Sequence, residues 1–174
     1  MSDQRLKLSA GDADDLAVIA ACTQDALAPI GEMVYLPAER RFVLALNRFR
    51  WDKLDAVALA SRGGDRLPQR ERGDASFLEA GGQGPTFERV HSGLRFENVT
   101  AVRTRNIDLR NRERILALLT IQAEPGAVSL VFGGDAVIRL EVTELRCYLE
   151  DFSDAWPTRW RPHHPDDAAG GQPR

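Results

Sequence analysis

The sequence predicts an α+β domain built mainly on antiparallel sheet. Three observations carry this expectation. About seven segments between residues 33 and 142 have strand composition, and most alternate apolar and polar side chains with a period of two. The links between them read as hairpin turns and short meanders, with no recurrent strand-helix-strand unit. Helical periodicity is confined to two stretches, one before the strands and one after them.

The first helix is expected over residues 14–28. Leu16, Ile19, Thr23, Ala26 and Leu27 recur at spacings of three and four, Asp12, Asp14 and Asp15 crowd the start, and Pro29 and Gly31 close it. The acidic start reads as capping rather than as a cation site. MVYLP and RFVLALNRFRW then form a hairpin around residues 38–40. In its second arm parity puts Phe42, Leu44, Leu46, Arg48 and Arg50 on one face, and Val43, Ala45, Asn47, Phe49 and Trp51 on the other. The aromatic face is the one expected to be buried. Residues 61–86 hold six glycines and two prolines and read as a mobile loop. GLRFE, VTAVRTRNI, ILALLTIQA, VSLVF and AVIRLEV follow as strands. ILALLTIQA is apolar at both parities, so it is expected to be central and covered on both sides. Gly133, Gly134 and Asp135 give the clearest hairpin turn.

After residue 142 the period changes. Leu145, Tyr148, Leu149 and Phe152 make a helical stripe with Thr143 as a cap, which predicts a C-terminal amphipathic helix. These elements fit a roll or partly open barrel plugged by that helix, an order over residues 33–152 similar to that of pleckstrin-homology-like domains. Two stacked subdomains, each with a hairpin and a helix, are the alternative. Residues 1–165 are expected to form a single domain, with 166–174 a disordered tail.

Length and composition suit one soluble domain: 174 residues, 43% hydrophobic and 28% charged. No apolar run approaches the roughly 18 residues that a membrane span needs. The N-terminus lacks a signal-peptide core, and Cys22 and Cys147 are isolated within apolar segments, so a cytoplasmic location is expected and no membrane association. A net charge of -3 gives no global attraction for nucleic acid. Only residues 47–114 are net basic. Of the 23 basic residues 21 are Arg, a skew that GC-rich coding produces without functional selection.

The motifs DLAVIAACTQDAL, VYLPAERRFVLALNRFRWD, GLRFENVTAVRTRNID, IRLEV and WPTRWRPHH occur in this order over residues 6–164. Together they resemble a family of uncharacterised bacterial proteins, mainly alphaproteobacterial, classed as a domain of unknown function (DUF2948). That resemblance brings no activity, cofactor or site residue with it.

No arrangement of Ser, His and Asp residues matches a known catalytic motif, so no catalytic residue is assigned and no enzyme is favoured. No cofactor or metal is expected. HHPDD over residues 163–167 has ligand chemistry but lies in a proline-rich tail. The arginine doublets Arg48/Arg50, Arg103/Arg105 and Arg159/Arg161 carry the sharper hypothesis. Spacing of two on an extended chain projects both guanidinium groups to one side. Ion pairing to Asp52, Asp55, Glu88, Glu97 or Asp108 is the simpler reading. An anion-binding surface of Arg48, Arg50, Arg103 and Arg105 is the alternative, with RNA as one ligand. Trp156 and Trp160 either strap the tail to the domain or contact a partner. The leading expectation is a non-enzymatic module that binds an unknown partner protein or itself.

Overall fold

In the computed structural model, which describes residues 5–53, 87–158 and 162, the first helix begins where the acidic run predicts. The Asp12 carboxylate accepts a hydrogen bond from the Asp15 amide at 2.8 Å and caps α1 (Ala13–Thr23). Leu16, Ile19 and Thr23 are buried along its inner face. The helix stops five residues short of the expected end. Asp25 turns left-handed at φ 61, and its amide donates to the Leu118 carbonyl at 2.7 Å. Leu27, Ala28 and Pro29 thereby enter the sheet in place of a last helical turn.

Eleven strands lie among the described residues: β1 (Lys7–Ala10), β2 (Leu27–Pro29), β3 (Met33–Leu36), β4 (Arg41–Phe49), β5 (Phe87–Phe96), β6 (Val99–Arg105), β7 (Ile115–Glu124), β8 (Ala127–Phe132), β9 (Val137–Val142), β10 (Cys147–Asp151) and β11 (Trp156–Thr158). The seven segments read as strands in the sequence are β3 to β9. The other four were not foreseen. All pairings are antiparallel, in an open sheet of order β1-β10-β5-β4-β2-β7-β8-β9-β6, with β3 added to β4 and β11 to β5.

The expected C-terminal helix is a strand. β10 lies between β1 and β5, with Cys147, Leu149 and Asp151 buried and Tyr148 and Glu150 turned outward. Both periods fit this stretch. The inward carboxylate hides the alternation of period two, and a single buried charge inside a strand is what periodicity alone cannot anticipate. The plug behind the pleckstrin-homology-like analogy is therefore missing, and β1 and β6 stand at the ends of the sheet. β7 is central in the order, but Ile115 and Leu119 on its outer face are 57% and 45% exposed, so it is not covered on both sides.

The Gly-Gly-Asp hairpin forms as expected. Gly134 (φ 72) and Asp135 (φ 56) take the left-handed conformations that let β8 return as β9. One core cluster joins Leu16 and Ile19 of α1 to the inner side chains of both ends of the sheet, among them Phe42, Leu44, Leu94, Phe96 and Leu149, and Leu118, Leu130, Ile138 and Leu140. Among the described residues no helix is long and apolar enough to cross a membrane. The expected loop at 61–86 and the tail at 166–174 lie outside the described residues.

Candidate binding faces

Alternation along β4 sorts its side chains into the two sets that parity predicts, and the Arg48 set is the one that faces the core, although Phe49 of the aromatic set is buried as well. Phe42, Leu44, Leu46 and Arg48 face the core, while Val43, Ala45 and Asn47 face outward. Arg48 is completely buried. Its Nε and Nη2 donate to the two carboxylate oxygens of Asp151 at 2.9 and 2.8 Å, and its Nη1 donates to Asp52 at 2.9 Å. This is a bidentate guanidinium-carboxylate fork. β5 runs between the strands that carry the pair, with Val90 opposite Arg48 and Ser92 opposite Asp151. The Ser92 hydroxyl donates to Asp151 at 2.6 Å, and the Leu6 amide adds a bond at 3.0 Å.

Burial pulls the Arg48 guanidinium down, yet the hydrogen bonds and charges of Asp151 and Asp52 outweigh it and hold its pKa above the ordinary value. Burial likewise pushes Asp151 up, but hydrogen bonds from Arg48 and Ser92, the Arg48 charge and the Leu6 amide hold it below the usual carboxylate range. Arg50 is also buried, with Nη1 donating to Glu88 at 3.1 Å and Nη2 3.7 Å from Asp52. Lys53 shares Glu88 at 2.7 Å. Of the carboxylates named from sequence, Asp52 and Glu88 serve this pair, Glu97 binds Arg41 and Arg95, and Asp108 lies by Arg110. Asp151, the main partner, sits 103 residues from Arg48 in the chain. Nothing in the sequence marks it, and Asp55 lies outside the described residues.

Arg103 and Arg105 lie on β6, at the far end of the sheet from β4, so the four guanidinium groups do not converge. Phe49 is fully buried on the outer side of β4, its ring 4.5 Å from that of Trp51 and 5.6 Å from that of Phe87, with the Arg89 guanidinium 5.9 Å above it. Trp156 anchors β11 beside β5 with its ring 4.5 Å from His91, which in turn stacks on Phe152 at 6.0 Å. Trp160, Arg159, Arg161 and the 163–167 histidine segment lie outside the described residues. Among the described residues no group of three or more His, Cys, Asp or Glu side chains is placed to hold a metal ion.

Among the described residues, two surfaces stand out as candidates for a ligand. On the outer face of β4, β5 and β10 the register pairs Ala45 with Gly93 and Gly93 with Glu150. Gly93 lies inside a regular strand, and a Cβ placed on it meets nothing within 4 Å. The small pair floors two adjoining hollows divided by Phe152. One, of about 360 Å³, is lined by Leu27, Pro29, Ala45, His91 and Ile115, with Glu32 at its rim. The other, of about 470 Å³, is lined by Leu8, Val43, Arg95, Tyr148 and Glu150. Ile115 and Phe152 are 57% and 55% exposed. Glycine inside a strand weakens it and often marks the close approach of a ligand or another chain. The second surface is the polar outer face of β6, β9, β8 and β7, where Arg103 and Arg105 project.

Residues 6–164 match the model of one protein family, described as a protein of unknown function (DUF2948). No curated protein and no solved structure gives a match.

Proposed function

The chain belongs to that family of proteins of unknown function, and from a membership that carries no activity we propose a non-enzymatic protein-interaction module that docks a partner on the outer face of β4, β5 and β10. The open floor at Gly93 and Ala45 carries this reading. The occupant is an extended segment of another protein, with a bulky apolar side chain seated between Ile115, Leu27 and Phe152 and a Lys or Arg beside it. Glu32 supports the cation, because it stands at the rim of the hollow and holds no ion pair among the described residues. Arg or Lys next to an aromatic wall adds attraction of about 0.5–1 kcal/mol at exposed sites. Cys22 and Cys147, the two cysteines of the chain, are not joined in a disulfide, which supports a cytosolic setting.

A random dodecapeptide phage library selected on the full chain tests this. The expected consensus is an aromatic or branched aliphatic residue next to Lys or Arg. Gly93→Trp, which fills the floor from a position with open space above it, should abolish binding of a selected peptide while leaving the circular dichroism spectrum unchanged. Ala45→Trp should do the same independently. An absent consensus, or peptides that bind both variants undiminished, would sink the proposal. Sedimentation velocity on the same proteins covers the remaining occupant: a dimer that Gly93→Trp dissociates would put a second copy of the chain on this face and overturn the peptide assignment.

A further inference from the structure

From the outer face of β6, β9, β8 and β7, we infer a second site that binds a phosphate group on a small ligand. The register builds it. Arg103 of β6 lies directly opposite Arg139 of β9, Arg139 opposite Ser129 of β8, and Ser129 opposite Gln122 of β7, so one row of donors crosses four strands. Arg105 stands next along β6 on the same side, opposite Val137. These residues line a hollow of about 380 Å³ floored by Val131 and Val137.

Like charges directly opposite on a sheet repel, so Arg103 and Arg139 need anions. Two protein carboxylates supply part of this: Arg103 Nε donates to Glu141 at 2.8 Å, and Arg139 Nη1 donates to Glu124. Three guanidinium groups therefore face two carboxylates, leaving one positive charge in excess. Arg105 holds no ion pair or side-chain hydrogen bond among the described residues, and Arg103 and Arg139 each commit one N–H of the five that a guanidinium offers. Ser129 is 6% exposed, and its hydroxyl reaches Glu124 only at 3.5 Å. Free guanidinium N–H groups around a hydroxyl and a carboxamide match the oxygens of a phosphate group, which guanidinium forks bind bidentately. The hollow has room for a small organic phosphate. This site shares no lining residue with the Gly93 face.

Amide chemical shifts of the ¹⁵N-labelled full chain, titrated separately with inorganic phosphate, phenyl phosphate and succinate, test the site. Both phosphates should shift residues 103–105, 129 and 139 saturably, phenyl phosphate more tightly because its ring gains the valine floor, and succinate more weakly than either. Arg105→Ala is exposed and should fold normally. It should weaken phosphate binding roughly tenfold to a hundredfold, the usual worth of a hydrogen bond to a charged group. Gly93→Trp should leave the titration unchanged. Shifts scattered over the molecule, succinate equal to phosphate, or an Arg105→Ala variant that binds like the parent would overturn the inference. So would an oligouridylate that binds this face far more tightly than phenyl phosphate, since the face would then serve RNA.

Discussion

Arg48 and Asp151 show how much a single pair decides. Removing one partner of a buried ion pair strands the other charge, at a cost of about 3–5 kcal/mol, whereas replacing both by apolar side chains of similar volume is often neutral. Asp151→Ala should therefore lower the urea unfolding free energy by about 3–5 kcal/mol. Arg48→Met combined with Asp151→Leu should recover most of that loss, less what the abandoned Ser92 hydroxyl and Asp52 carboxylate cost. The same pair sets an acid limit. Asp151 has a folded pKa below its unfolded value near ~3.9, so its stabilisation is complete above about pH 4 and is lost as pH falls through the depressed folded value. Urea titrations from pH 7 down to pH 2 should show a falling limb that the double variant lacks. Cys147 bears the opposite shift, since burial pushes its thiol up to about 12. Arginine at Arg48 was legible in the sequence, but its destination was not, because hydrophobic alternation gives a charged side chain no reason to face the core. Only the carboxylate from β10 makes that position tolerable.

At the scale of elements, β10 separates local pattern from tertiary pairing. Its sequence satisfies a helical stripe through Leu145, Tyr148, Leu149 and Phe152 and equally an alternation through Cys147, Leu149 and Asp151. Hydrogen bonds from β1 on one side and β5 on the other settle the matter, since a helix there would leave the inner edge of β5 unpaired. Glu150 is outward and exposed, with only a surface ion pair to Lys7, so it reports backbone preference. In a strand Glu150→Thr should be more stable than Glu150→Ala by up to about 1 kcal/mol, whereas a helix would reverse the order. Urea midpoints of the two variants distinguish these outcomes. α1 illustrates the converse. Its start was legible because the cap is local, three residues from Asp12 to Asp15, while its end was set by β7, nearly a hundred residues away.

For the whole molecule, the pairing scheme is strongly non-local. β1 closes on β10, β2 on β7 and β6 on β9, so most ladders wait on the closure of long loops. Domains dominated by such contacts fold in milliseconds to seconds rather than microseconds. Stopped-flow refolding of the chain should accordingly show its main phase slower than about 1 ms, and a main phase completed in microseconds would contradict this topology. The two candidate binding faces arise at the same scale. The hollow at Gly93 exists because β5 lies between β4 and β10. The donor row exists because β6, β9, β8 and β7 align Arg103, Arg139, Ser129 and Gln122.

What the sequence determined by itself is the set of local decisions: the Asp12 cap, the Gly-Gly-Asp hairpin, the parity of β4, and an antiparallel character running through seven of the strands. Each depends on residues within a few positions of one another, where backbone sterics and side-chain period act directly. The tertiary structure alone decided which β4 face is inner, that residues 147–151 form a strand, that Asp151 neutralises Arg48, and that Arg103 meets Arg139 rather than the β4 arginines. Those outcomes depend on the order of strands in the sheet, and that order follows from the joint burial of side chains far apart in the chain.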